Sequence, residues 1–249
     1  MTSLLLALAA GAVVGLALGG LGGGGSMLAV PALVYLLGFS PAPATTAALV
    51  IVAATSLTGL LAHARARRVH WRTGALFAAA GLPVAAAAGA LSAHLPGALL
   101  TGAFAVLAAL AAWRMLKPAK SDAQERSAAT PGRSTAAGAG LGAVTGLLGV
   151  GGGFLAVPAL VSVLALTMAE AVGTSLLVIS ANSLAALLPR LGATGAIDWA
   201  VAAPFTGAAI LGAWDGKRLA DKLGGRTLQK AFAVALLGVA ALMLITSLS

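Results

Sequence analysis

The chain has no cysteine. Disulfides, thiolate metal sites and cysteine nucleophiles are therefore excluded. Charge is almost as scarce. Only 8% of the 249 residues are charged, against about a quarter in a soluble domain. The run from Gly74 to Leu110 holds no Lys, Arg, Asp or Glu. Acids number six and histidines three, all scattered. A membrane enzyme would need a His/Asp/Glu cluster or a nucleophile–base pair in the apolar sequence, and neither occurs. A divalent-metal permease would want carboxylates or histidines in its spans, and these too are missing. No GxxxxGK[ST] loop is present, which sets aside a nucleotide-driven pump. No cofactor is implied.

What the chain has is apolar sequence. It is 60% hydrophobic, with mean hydropathy +1.02. That composition fits an all-α, polytopic membrane protein. Its many glycines and alanines suit close helix packing, where small residues let backbones approach. The first residues are apolar and carry no basic n-region, so they read as a mature membrane segment. The net charge of +9 reads as a signal of membrane orientation, not of nucleic-acid binding.

Half of this sequence repeats the other half. Leu21-Gly22-Gly23-Gly24-Gly25-Ser26, followed by Val30-Pro31-Ala32-Leu33, returns as Leu148-Gly149-Val150-Gly151-Gly152-Gly153, followed by Val157-Pro158-Ala159-Leu160. The offset is 127 (Leu21 to Leu148) and then becomes 128 (Thr46 to Thr174). Val69-His70-Trp71 matches Ile197-Asp198-Trp199 at that second offset, and Ala103-Phe104-Ala105-Val106 matches Ala231-Phe232-Ala233-Val234. Several matches in one order mark an internal duplication.

Each half holds four apolar stretches: 3–38, 44–62, 73–93 and 97–116, then 135–166, 171–189, 198–214 and 228–247. The last three of each set are about the 17–25 residues that cross a bilayer. The first of each is broken by glycine. Its second arm, Ser26 to Gly38, makes about 20 Å of helix, short of the roughly 30 Å hydrocarbon core. It reads as one arm of a re-entrant hairpin with the glycines at its tip.

Charge chooses the topology. If each broken stretch crosses once, the halves are parallel and basic loops lie on both faces. If each returns to its own side, the halves are inverted. Loops 63–72, 117–133 and 215–227 then share a face that holds every Lys and Arg except Arg190. The positive-inside rule makes that face cytoplasmic. The expectation is two inverted repeats, each a re-entrant hairpin plus three transmembrane helices, with both termini outside. The domains would be residues 1–116, a flexible cytoplasmic linker at 117–134, and residues 135–249.

These doubled motifs, with Gly173-Thr174-Ser175-Leu176 and Ile197-Asp198-Trp199, resemble the sulfite exporter TauE/SafE family of membrane permeases. The resemblance runs from about Leu4 to Leu244. The first half carries Thr46-Ala47-Ala48 where the second has Thr174-Ser175-Leu176. The resemblance implies a multi-pass transporter of the inner membrane for the export or uptake of sulfite, sulfonates or thiosulfate-like small anions, export being the family's name.

A small anion in a membrane needs hydrogen-bond donors or positive potential, and apart from Arg114 and Lys230 near segment ends the apolar segments offer no basic side chain for it. Backbone must supply the donors. Glycine-rich turns can form anion-holding nests of N–H groups. Helix starts add unpaired N–H groups and the positive end of a dipole. Candidate binding residues are therefore Gly22, Gly23, Gly24, Gly25 and Ser26 at one tip, and Gly149, Gly151, Gly152 and Gly153 at the other. Thr46, Thr174, Ser175 and Asn182 would line the pathway. The hydroxyls could equally bond to their own helix carbonyls. Pro31 and Pro158 are expected to shape their helices. Partners are the lipid bilayer and a small anion, with protons as a possible coupling ion. Transport by alternating access and passive flow through an anion channel remain the two readings.

Overall fold

A computed structural model describes residues 2–92, 106–107, 109–113, 115–116, 131–148, 153–188, 197–223 and 225–248. All regular structure among these residues is helical. In chain order the helices are α1 (Thr2–Leu21), α2 (Gly24–Pro31), α3 (Pro41–Arg65) and α4 (Trp71–Ser92). They continue with α5 (Pro131–Leu148), α6 (Gly153–Ser162), α7 (Met168–Leu187), α8 (Trp199–Lys222) and α9 (Gly225–Leu248). Helical backbone also occurs within 106–116. Three spans among the described residues, Ser3–Leu21, Pro43–Arg65 and Met168–Leu187, are long and apolar enough to cross a membrane.

Local chemistry sets the boundaries. Gly22 has φ +71° and separates α1 from α2. Alanine in that left-handed region costs roughly 1–2 kcal/mol, and glycine pays no such penalty. Pro31 ends α2, and the chain continues as a π-turn through Ala32–Leu36. Proline cannot donate to the preceding turn, and kinks and π-bulges gather at such places. Pro41 begins α3, a position where its missing N–H costs nothing. Thr167 and Glu170 form a reciprocal capping box at the start of α7. The Thr167 N–H donates to Glu170 Oε2 at 2.9 Å. Asp198 caps α8, its carboxylate accepting from the Ala200 N–H at 3.0 Å.

The helix α8 outruns its apolar segment. Hydropathy ends it at 214, whereas the helix reaches Lys222. Its last turns are held by pairs at helical spacing, Arg218 with Asp215 at 3.2 Å and Lys217 with Asp221 at 2.7 Å. Asp221, expected in a loop, is therefore helical. The helix α5 likewise begins at Pro131, within the stretch expected to be linker.

Two close pairings dominate the packing: α1 on α8, and α4 on α5. In the first, Gly11 and Gly15 lie on the backbone of Phe205 and Ala209. In the second, Gly138 and Gly142 lie on the backbone of Phe77 and Gly81. These contacts are equivalent under the sequence repeat: Gly11 matches Gly138 and Phe77 matches Phe205. In both, residue order rises together, so the paired helices run parallel. The central pair, α3 and α7, runs antiparallel. The Ser56 and Ser180 hydroxyls meet at 2.9 Å, Gly59 faces Leu176, and His63 faces Gly173.

Neither half holds its core alone. One buried cluster joins Leu18, Leu33 and Ile51 of the first half to Phe205 and Ala209 of the second. The other joins Leu160, Val172 and Phe232 of the second half to Phe77 of the first. The third helix after each glycine cluster's first arm is thus lent to the opposite half. Leu5, Val13, Leu184 and Leu211 point outward, as lipid-facing residues do. Trp71 and Trp199 are exposed at the first residues of α4 and α8, where interfacial tryptophans gather.

Candidate substrate site at the glycine turn

The described glycine turn is buried against the other half of the protein. Gly22 ends the first arm. Gly23, in right-handed helical conformation, precedes α2 and offers no side-chain cap. The first N–H groups of a helix lack partners within it, so α2 opens with backbone donors and a positive dipole end. Its wall comes from α6 and α7. A Cβ at Gly22 would stand 2.5 Å from Ser175 Oγ and 3.1 Å from Val157 Cγ2. The turn therefore fits only because position 22 has no side chain.

Ser175 is fully buried and donates to the Val172 carbonyl at 2.8 Å. Its oxygen remains beside the turn. Thr174 is also fully buried, and its Oγ1 accepts from the His70 N–H at 3.1 Å. That bond ties the α3–α4 loop to α7. His63 Nε2 lies 3.1 Å from the Gly19 carbonyl oxygen. Gly22, Thr174, Ser175 and His63 thus gather around the start of α7.

Other candidates lie elsewhere. Thr46 is buried in the second turn of α3. Because α3 and α7 are antiparallel, it sits roughly 24 Å from Thr174 along the pair, at 1.5 Å per residue. Asn182 lies toward the far end of α7, about 10 Å from Ser175 on the same rise. It lines a cavity of about 10 Å³ with Phe77, Gly81, Gly138, Gly142 and Val178, enough for about one water. Its Oδ1 is buried with no hydrogen-bond partner. Pro158 lies inside α6, and its carbonyl accepts from Ser162 Oγ at 2.6 Å. The backbone of Gly24, Gly25 and Ser26 forms the first turn of α2, and Gly153 begins α6. Gly149, Gly151 and Gly152 lie outside the described residues.

Beside the turn is a charged rim. Arg68 of the α3–α4 loop pairs with Asp221 of α8, which also holds Lys217. His70 pairs with Glu170 at 3.2 Å. Arg65 stands over the Trp214 ring, 5.8 Å from its centroid. Burial pushes the Asp221 carboxyl up. The hydrogen bonds and charges of Lys217 and Arg68 outweigh that and hold it below its ordinary 3.8. Elsewhere, Arg133 near the start of α5 donates to the Val163 carbonyl just past the end of α6 at 2.8 Å. The start of α5 and the end of α6 therefore lie side by side.

Sequence reading missed two of these features. His63 carries no motif, and its partner Gly19 lies in another helix. Glu170 and His70 are separated by 100 residues, so no local spacing announces them.

The family model described as "Sulfite exporter TauE/SafE" matches residues 7–243. A relative from Xylella fastidiosa (strain 9a5c), named "Probable membrane transporter protein", is 34% identical over 245 residues, covering 96% of this chain and 94% of the relative. A relative of the same name from strain Temecula1 / ATCC 700964 is 33% identical over the same coverage.

Proposed function

This chain belongs to the sulfite exporter TauE/SafE family of membrane transporters, and from that premise we propose that it carries sulfite or a related small sulfur anion, such as a sulfonate, across the inner membrane. The observation that carries the proposal is the Gly22 turn. It is buried and left-handed, α2 begins two residues after it without a side-chain cap, and a serine of the other half stands beside it. Such a turn can offer several N–H groups to an oxyanion without a fixed positive side chain. Weak, shared binding suits a carrier, because the ion must also leave.

Alternating access between inverted repeats is the mechanism this reading takes. It is supported by the antiparallel α3–α7 pair and by the equivalent glycine contacts of α1–α8 and α4–α5. The meeting of Arg68 with Asp221 supports it too, since it brings two of the basic loops to one end. The Arg133–Val163 contact supports a hairpin that returns to its own side. On this reading the rim around Arg68 is cytoplasmic, the domains are the two repeats, and Gly149, Gly151, Gly152 and Gly153 are the sequence counterparts of the Gly22 cluster.

The test is efflux of radiolabelled sulfite from proteoliposomes, for wild type and for Gly24→Leu and Gly152→Leu. Both variants should fold and lose transport. Wild-type flux in both would remove the glycine tips from the mechanism.

A further inference from the structure

His63 has no part in the transport so far described. It is 1% exposed and lies in the last turn of α3. A buried imidazole is costly unless its nitrogens are used. One is used, because Nε2 lies 3.1 Å from the Gly19 carbonyl. A carbonyl only accepts, so Nε2 must carry the hydrogen. That fixes the neutral tautomer, and Nδ1 is left with a bare lone pair. Nδ1 is itself buried and has no hydrogen-bond partner among the described residues. The ring is therefore a base with one defined atom at which a proton can be added.

Its surroundings connect that atom to the glycine turn. Gly19 belongs to the last turn of α1, one turn before Gly22. On the other side, a Cβ at Gly173 would stand 3.2 Å from His63 Cβ. Two residues further along α7, Ser175 stands against Gly22. The ring and the turn thus share one wall. The charged groups that face His63 are Arg68 of the α3–α4 loop, and Lys217 and Asp221 of α8. These three are paired among themselves. From α1 and α7 it meets glycines, and the nearby Glu170 pairs with His70.

We infer that Nδ1 of His63 is the proton-binding site that couples anion movement to a pH gradient. This rests on the reading that the anion occupies the Gly22 turn. An anion seated there brings a negative charge beside a neutral ring. The Nδ1 lone pair takes one proton, the ring becomes an imidazolium, and the new charge offsets the anion's. The protonated Nδ1 is then also a donor, where before it could only accept. When the anion leaves, the proton leaves Nδ1 and the neutral tautomer returns.

Two measurements test this. The first is radiolabelled sulfite flux in proteoliposomes, with and without an imposed pH gradient, for wild type and His63→Gln. Glutamine keeps an N–H that can reach the Gly19 carbonyl and does not titrate. Wild type should be stimulated by the gradient. The variant should still exchange sulfite and show no stimulation. Full stimulation in the variant, or a wild type that carries sulfite indifferently to the gradient, would overturn the inference. The second is nitrogen NMR of the wild-type histidines, with His63→Gln identifying the His63 signals. As the pH is lowered from neutral, Nε2 should stay protonated while Nδ1 gains a proton. A protonated Nδ1 with a bare Nε2, or an Nδ1 that never changes, would also overturn it. If wild type carries no sulfite, the substrate reading falls, and the NMR result alone decides the role of His63. If the variant proves inactive or unfolded, the NMR result again decides, with His70→Gln and His94→Gln identifying the His63 signals by elimination.

Discussion

At the scale of single residues, Gly22 matters most. Alanine there must adopt φ +71° and displace the Ser175 hydroxyl from 2.5 Å. Gly22→Ala should therefore lose at least about 1–2 kcal/mol of stability and most of its flux, checked by thermal unfolding in detergent and by sulfite efflux. Asp221 gives a pH signature. Its folded carboxyl titrates below its ordinary 3.8, so its ion pairs stabilise the protein above that value and are lost as pH falls through the lower, folded one. Each such partly exposed pair is worth about 0–1 kcal/mol. The melting-temperature gap between wild type and Asp221→Asn should thus be small, constant from neutral pH down to about pH 5, and should close below about pH 4. The glycine of the turn was legible, because a doubled cluster in apolar sequence needs a reason. The roles of Thr174 and Ser175 were half legible. A bond back to its own helix, one of the two readings, is what Ser175 makes at Val172, but Thr174's bond to the His70 N–H joins two distant segments. His63 was not legible, since nothing in its own neighbourhood names Gly19.

At the scale of elements, the two parallel helix pairs carry the packing. Gly15 on Ala209 and Gly142 on Gly81 occupy equivalent places, so Gly15→Leu and Gly142→Leu should harm the protein alike. Overpacking of this kind costs about 1–3 kcal/mol, and monodisperse yield after detergent extraction would show it. A large loss in one variant and none in the other would break the equivalence. Removing the α7 cap is a milder change. Thr167→Ala should cost about 1 kcal/mol, read as a lowered melting temperature with transport retained. The helices themselves were legible from apolar length, and Glu170 at a helix start was legible from its charge. The ends were less so. Hydropathy stops at 214 because the last turns of α8 are solvated and held by ion pairs. The broken second arm was legible as a short segment, but its π-turn after Pro31 was not.

At the scale of the whole molecule, the duplication explains the shared core. Each half lends a helix to the other's buried cluster, so neither half is expected to fold when expressed alone. The charge pattern offers a topology to test, because nearly every basic residue can share one face in only one arrangement of the halves. The chain has no cysteine, which makes that topology easy to probe. Single cysteines placed by Arg67→Cys and Lys222→Cys should both react with an impermeant reagent from the cytoplasmic side only. Labelling of the two from opposite sides would exclude inverted halves. The contacts of the charged rim, such as Arg68 with Asp221, join residues 153 positions apart and leave no local trace in the sequence.

The central claim is a carrier that moves a small sulfur anion by alternating access, and counterflow tests it most directly. Proteoliposomes loaded with unlabelled sulfite are diluted into a trace of radiolabelled sulfite. A carrier exchanges outgoing for incoming ions, so label should rise inside above its equilibrium level and then decay, and a competing sulfonate should suppress the rise. A monotonic approach to equilibrium without overshoot would mark a channel and contradict alternating access. No sulfite-dependent signal from folded protein would contradict the substrate.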